Sequence, residues 1–186
     1  MGSAQQLWNS PIAGPPVIRA DDKLRWYALY TRARHEKKVT TELQEKGVTA
    51  FLPLISERRR WSDRNKTVQL ALFPCYTFVR LNPCPEQRLA VLKTSGVLSF
   101  VGIRGVGLAI PDKEIEDIQT LLAHHFTCTP YPFLKTGQRV RIRGGFLEGV
   151  EGILVAKNSD CSLVISLELI QRSVAVRIEG FDVETV

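Results

Sequence analysis

No apolar run in this sequence approaches the roughly 20 residues that a bilayer-spanning helix requires. The N-terminus carries no continuous apolar core of the kind that opens a secretory signal. The myristoylation pattern is missing as well, because Gln6 stands where Ser or Thr is required. These absences predict a cytoplasmic protein with no membrane partner. Cysteine is sparse. Cys75, Cys84, Cys128 and Cys161 form no C-x-x-C pair and follow no regular spacing, which predicts free thiols rather than a disulfide framework. His124, His125 and Cys128 lie near one another, but no fourth ligand stands at regular spacing, and the helix dipole accounts for two histidines at a helix end. No metal or other cofactor is expected. Nucleophile–base pairs in recognisable context are absent too. Gly144, Gly145, Gly149 and Gly152 lack the spacing and the Lys-Ser/Thr ending of a phosphate loop. The chain is not expected to be an enzyme.

What is present is a folded chain of 186 residues, 44% hydrophobic, long enough for one ordinary domain or two small ones. Its charge is uneven. Residues 1–133 hold 18 Lys and Arg against 12 Asp and Glu, whereas residues 134–186 hold seven of each. The positive excess therefore belongs to the first part, in keeping with a nucleic-acid neighbour there.

The organising stretch is LALFPCYTFVRL, Leu70–Leu81. Read as one strand, it sends Leu70, Leu72, Tyr76 and Phe78 to one face, and Phe73, Cys75, Thr77, Val79 and Leu81 to the other. Both faces are apolar, so each needs a cover from the same chain or from a partner. Around it the pattern predicts a strand over Leu24–Thr31, a helix over Arg32–Lys46 and a strand over Val48–Ile55. A short helix over Pro85–Thr94, a strand over Val97–Ile103 and a helix over Asp112–His125 follow. Between the second and third strands, Glu57–Lys66 reads as a protruding hairpin. There Arg58, Arg59, Arg60, Arg64 and Lys66 surround Trp61, a combination suited to phosphate and base contact, or else a solvated hairpin with its Trp folded back. Stripped of the hairpin and the last helix, the order is the βαββαβ pattern of the ferredoxin-like fold. Residues 1–22 read as a flexible tail, residues 23–126 as the first domain, and 127–135, with two prolines, as a linker. From 136 to 186 five short strands with turns predict a small β-barrel.

In combination these segments resemble the NusG family of transcription elongation factors, with an NGN domain followed by an SH3-like KOW barrel. The matching segments are WYALYTRARHEKKV (Trp26–Val39), FLPL (Phe51–Leu54), LFPCYTFVRL (Leu72–Leu81), GVLSFVGI (Gly96–Ile103), IPDKEIEDI (Ile110–Ile118) and GQRVRIRGGFLEGVEGI (Gly137–Ile153). The resemblance implies a monomeric, non-enzymatic factor. Its NGN domain would dock on the clamp helices of RNA polymerase through Tyr30, Phe73, Pro74, Tyr76 and Phe78. It would face upstream or non-template DNA with Arg32, Arg34, Lys37 and Lys38, and suppress pausing or termination. The KOW barrel would recruit a small-subunit ribosomal protein or Rho, through Phe146, Leu147 and Ile170 as exposed contacts. The segments LFPCYTFV and LVISLELIQRSVAVRI resemble the specialised RfaH-like and UpxY-like branch, although Gln87–Leu89 replaces the His-Thr-Thr element of RfaH-like proteins. The Val and Ile density of 137–186 implies strands, not the helical C-terminal domain that RfaH-like proteins can adopt. An RNA-binding or ribosome-associated KOW protein is the alternative, with the basic hairpin as its contact.

Overall fold

The computed structural model describes residues 23–60, 65–124, 126, 128–133, 137–157, 160–178 and 181–186. The stretch 1–22 and the hairpin tip with Trp61 and Arg64 lie outside them, as do the side chains of Arg59 and Arg60. The architecture is mixed α+β. Its first part comprises β1 (Arg25–Thr31), α1 (Glu36–Glu45), β2 (Thr49–Phe51), β3 (Leu54–Arg60), β4 (Asn65–Ala71), β5 (Tyr76–Leu81) and α2 (Pro85–Leu92). These are followed by β6 (Val97–Phe100), β7 (Gly102–Ile103), β8 (Val106–Gly107), β9 (Ala109–Ile110) and α3 (Asp112–Ala123). The second part comprises β10 (Cys128–Tyr131), β11 (Gln138–Arg143), a 3-10 turn at Gly145–Leu147, β12 (Glu151–Lys157), β13 (Asp160–Leu167), β14 (Arg172–Arg177) and β15 (Asp182–Thr185). No described helix is long and apolar enough to cross a membrane.

The first sheet runs β2–β5–β1–β6, every neighbour antiparallel, and β9 adds two residues beside Trp26 and Tyr27 of β1. Its two faces follow the strand period. Tyr27 and Leu29 of β1 and Val79 and Leu81 of β5 pack beneath Val39 and Leu43 of α1 and Val91 of α2. Trp26, Ala28 and Phe78 point the other way, onto Ile115, Ile118 and Leu121 of α3. The same cluster continues past α3 into Val140, Leu147, Leu163 and Ile165 of the second sheet. Layers of the same chain thus cover both apolar faces: α1 and α2 on one side, α3 and then the second sheet on the other.

Three expectations need correction. Leu70–Leu81 is not one strand. It breaks between β4 and β5, where Cys75 adopts φ 68, and this turn resets the alternation. Phe73, expected on the Cys75 and Val79 face, instead packs edge-on against Phe78 at 6.3 Å. Val48–Ile55 likewise splits into β2 and β3. Most consequentially, the stretch read as a linker contains β10, whose Cys128–Tyr131 pair with Val176–Ser173 of β14. Pro130 is compatible with this because an edge strand can forgo a ladder donor. The second sheet is therefore six-stranded, β10–β14–β13–β12–β11–β15. It contains the five strands expected between 136 and 186, none of them helical. Only glycine fits at position 152 in β12, where a Cβ would sit 2.6 Å from the Val164 carbonyl of β13.

Candidate polymerase-docking and nucleic-acid surfaces

The candidate docking surface is assembled by one buried carboxylate. Glu36, in the first turn of α1, is 7% exposed. Its Oε1 accepts the Cys75 N–H at 2.8 Å and the Arg34 N–H at 3.3 Å. Arg34 (φ 63) and Cys75 (φ 68) both occupy left-handed backbone, which non-glycine residues adopt at a cost. The shared acceptor holds both. A further bond, Thr31 N–H to the Cys75 carbonyl at 2.9 Å, ties the loop to the end of β1. As a result the loop before α1 and the loop before β5 lie side by side, with a groove of about 550 Å³ beside them. Ile55, Leu70, Leu72, Pro74 and Pro130 form its apolar wall, and Arg34 and Lys37 stand at its rim.

Next to this groove the register of β1 and β5 sets Tyr30 opposite Tyr76, with ring centroids 5.6 Å apart. Tyr30 is 41% exposed. Pro74 is exposed and Tyr76 half-buried. Phe73 and Phe78 are not at the surface. Both are buried, Phe78 completely, with the Phe78 ring against those of Phe73 and Phe51. The five residues singled out for docking thus come together, but as a three-residue surface on a two-residue support. Sequence reasoning missed the groove wall (Ile55, Leu70, Leu72, Pro130) and Glu36, whose place in a first helical turn looks like ordinary dipole compensation.

The NusG family model, described as transcription termination factor nusG, matches residues 24–119, which contain this whole site except Pro130. The chain belongs to the NusG family. The transcription termination/antitermination protein NusG of Lactococcus lactis subsp. lactis (strain IL1403) is 25% identical over 173 residues, covering 87% of this chain and 92% of that protein. Its namesake from Staphylococcus aureus (strain Mu50 / ATCC 700699) is 26% identical over 172 residues, covering 86% and 94%. A solved structure of Thermotoga maritima NusG, concerned with its domain interaction, superposes with a TM-score of 0.51 at 21% identity. It covers 83% of this chain and 93% of that one, a likeness of fold.

On this NusG-family chain the basic side chains gather on the α1 side of the groove. Arg32, Arg34, Lys37 and Lys38 are all exposed. Arg58 is exposed on β3, opposite Thr67 of β4. At the position of the His-Thr-Thr element, Gln87 Oε1 accepts the Asn82 N–H at 3.1 Å. The Arg88 guanidinium lies over the Phe100 ring at 4.8 Å and donates to the Gly105 carbonyl. Gln87 and Leu89 are both exposed, Leu89 at 52%, and Arg88 is half-buried.

In the second part of the chain, two of the three residues expected to be exposed contacts are buried. Leu147 is completely enclosed, because the 3-10 turn carries it into the core, and Ile170, in the turn after β13, joins the same cluster. Phe146 alone is exposed, at 71%, with its ring against His124 at the end of α3, 5.1 Å between centroids. His124 thus meets an aromatic ring, and the Cys128 thiol is pushed up to about 11 by burial. Among the described residues no three His, Cys, Asp or Glu side chains gather as metal ligands.

Proposed function

We propose that this chain is a transcription elongation factor. Its first unit would be an NGN domain of ferredoxin-like topology that docks on the clamp helices of RNA polymerase, suppressing pausing or termination. The strand order β2–β5–β1–β6, with α1 and α2 on one face, supports that topology. The observation that carries the docking reading is the Tyr30–Tyr76 pair, exposed at Tyr30 and half-buried at Tyr76, with exposed Pro74 beside an apolar groove. Such a groove accepts the apolar face of a helix, and tyrosines concentrate binding energy at interfaces. Arg32, Arg34, Lys37 and Lys38 then face upstream or non-template DNA. The second unit would be an SH3-like KOW barrel that recruits a small-subunit ribosomal protein or Rho, with Phe146 as its accessible aromatic. Pull-down of RNA polymerase by residues 23–126, compared with the full chain, tests the reading. Capture by either supports docking, and capture by neither refutes it.

The basic β3–β4 hairpin also supports a second reading, contact with RNA without polymerase. Replacing Arg58, Arg59 and Arg60 by Ser is expected to reduce the steepness of log affinity against log salt by up to about 2–3 for a nucleic-acid-bearing complex. An unchanged slope would show that these arginines are only solvated. A steep slope on free RNA, with no polymerase capture, would favour the second reading.

A further inference from the structure

Between α3 and the barrel lies a group of charges that docking does not use. Lys113, Glu114 and Asp117 of α3, Arg139 of β11, Glu151 of β12 and Glu168 after β13 line a cleft of about 120 Å³. Four carboxyl groups thus face Lys113 and Arg139, and one of the four, Glu151, is also paired with Arg141 of β11 at 2.6 Å. Lys113 is committed: its Nζ donates to Asp117 Oδ1 and, at 2.7 Å, to the Gly149 carbonyl of the barrel. Arg139 is exposed to solvent. Glu114 Oε2 is buried without a hydrogen-bond partner, the environment of a neutral carboxyl rather than an ionised one.

We propose that this cleft is a proton-controlled latch between the two units, in which the barrel stays against α3 while Glu114 is neutral and separates from it when Glu114 ionises. The electrostatics have the required sign. Burial, reinforced by the Glu168 carboxylate and Asp117, holds the Glu114 carboxyl up at about 7, against an ordinary 4.5. The Glu168 amide and Arg139 oppose this and are outweighed. Asp117 is also held above its ordinary value, by burial first, with Lys113 and the Glu151 amide pulling down and the Glu151 carboxylate pushing up. When the units part, water reaches Glu114 and the proton leaves. The docked state therefore has its full advantage below about 4.5 and loses it as pH rises through about 7. Across that window one released proton changes the opening equilibrium about tenfold per pH unit.

The test is amide ¹⁵N relaxation on the full chain from about pH 5 to about pH 8, reading a rotational correlation time separately for each unit. The expected result is one shared value at low pH and two shorter values at high pH. Glu114→Gln, a neutral isostere, keeps the shared value throughout. Arg139→Gln, which removes the opposing cation, moves the transition to higher pH. A wild-type chain whose docking is the same at both ends of the range overturns the latch. So does a pH dependence that persists in Glu114→Gln, or an Arg139→Gln transition that stays in place. Polymerase is absent from this experiment, so its outcome is independent of the docking reading.

Discussion

Phe78→Ala is expected to destabilise the N-terminal unit by about 3–5 kcal/mol, the range for removing a fully buried aromatic ring. Phe78 is completely enclosed in β5, its ring 6.2 Å from Phe51 and 6.3 Å from Phe73. The Thr77 and Thr40 hydroxyls beside it, 2.9 Å apart, anchor β5 to α1 on the other face. The sheet therefore has no freedom to collapse into the space left behind. Thermal unfolding should show a midpoint lower by roughly 10 °C or more. A loss under about 1 kcal/mol would place Phe78 at the surface instead. A Phe78 variant that fails to bind polymerase thus reports unfolding before it reports a lost contact.

Tyr30→Ala with Tyr76→Ala is the cleaner probe of docking, and the larger effect on binding. Both rings lie near the ends of their strands, tilted against each other with planes 53° apart and partly open to solvent. Removing them should cost folding only about 1–2 kcal/mol, including the ring–ring term. Polymerase affinity should fall by about 30-fold or more, as for truncating an aromatic hot spot. Titration of labelled polymerase with the folded double variant checks this. Wild-type affinity would remove the groove and its tyrosines from the interface.

Much of this fold was legible because its signals are local. The Val39 and Leu43 stripe, the acidic first turn of α3 and the alternating strands between 138 and 185 each follow from spacing within a dozen residues. The docking surface was legible only in outline. Nothing local shows that Cys75 adopts left-handed backbone, since that conformation is held by a carboxylate 39 positions away. One such residue shifted Phe73 from one face to the other. Leu147 and Ile170 were misplaced for a related reason. Short apolar turns between short strands look exposed in sequence, yet here they supply core. β10 was hidden by Pro130 and by the distance to β14, the strand with which it pairs.

That strand has a consequence for anyone dividing the chain. A fragment beginning at residue 136, where the barrel's own pattern begins, would discard β10 and leave the Ser173–Val176 edge of β14 bare. Val174 and Val176, otherwise enclosed, would sit along a row of unpaired amides and carbonyls, a template for pairing with a second copy. A fragment that keeps the second sheet whole begins ahead of Cys128, well N-terminal to the point that its texture implies. The tether that joins it to α3 is then only the four residues between Ala123 and Cys128.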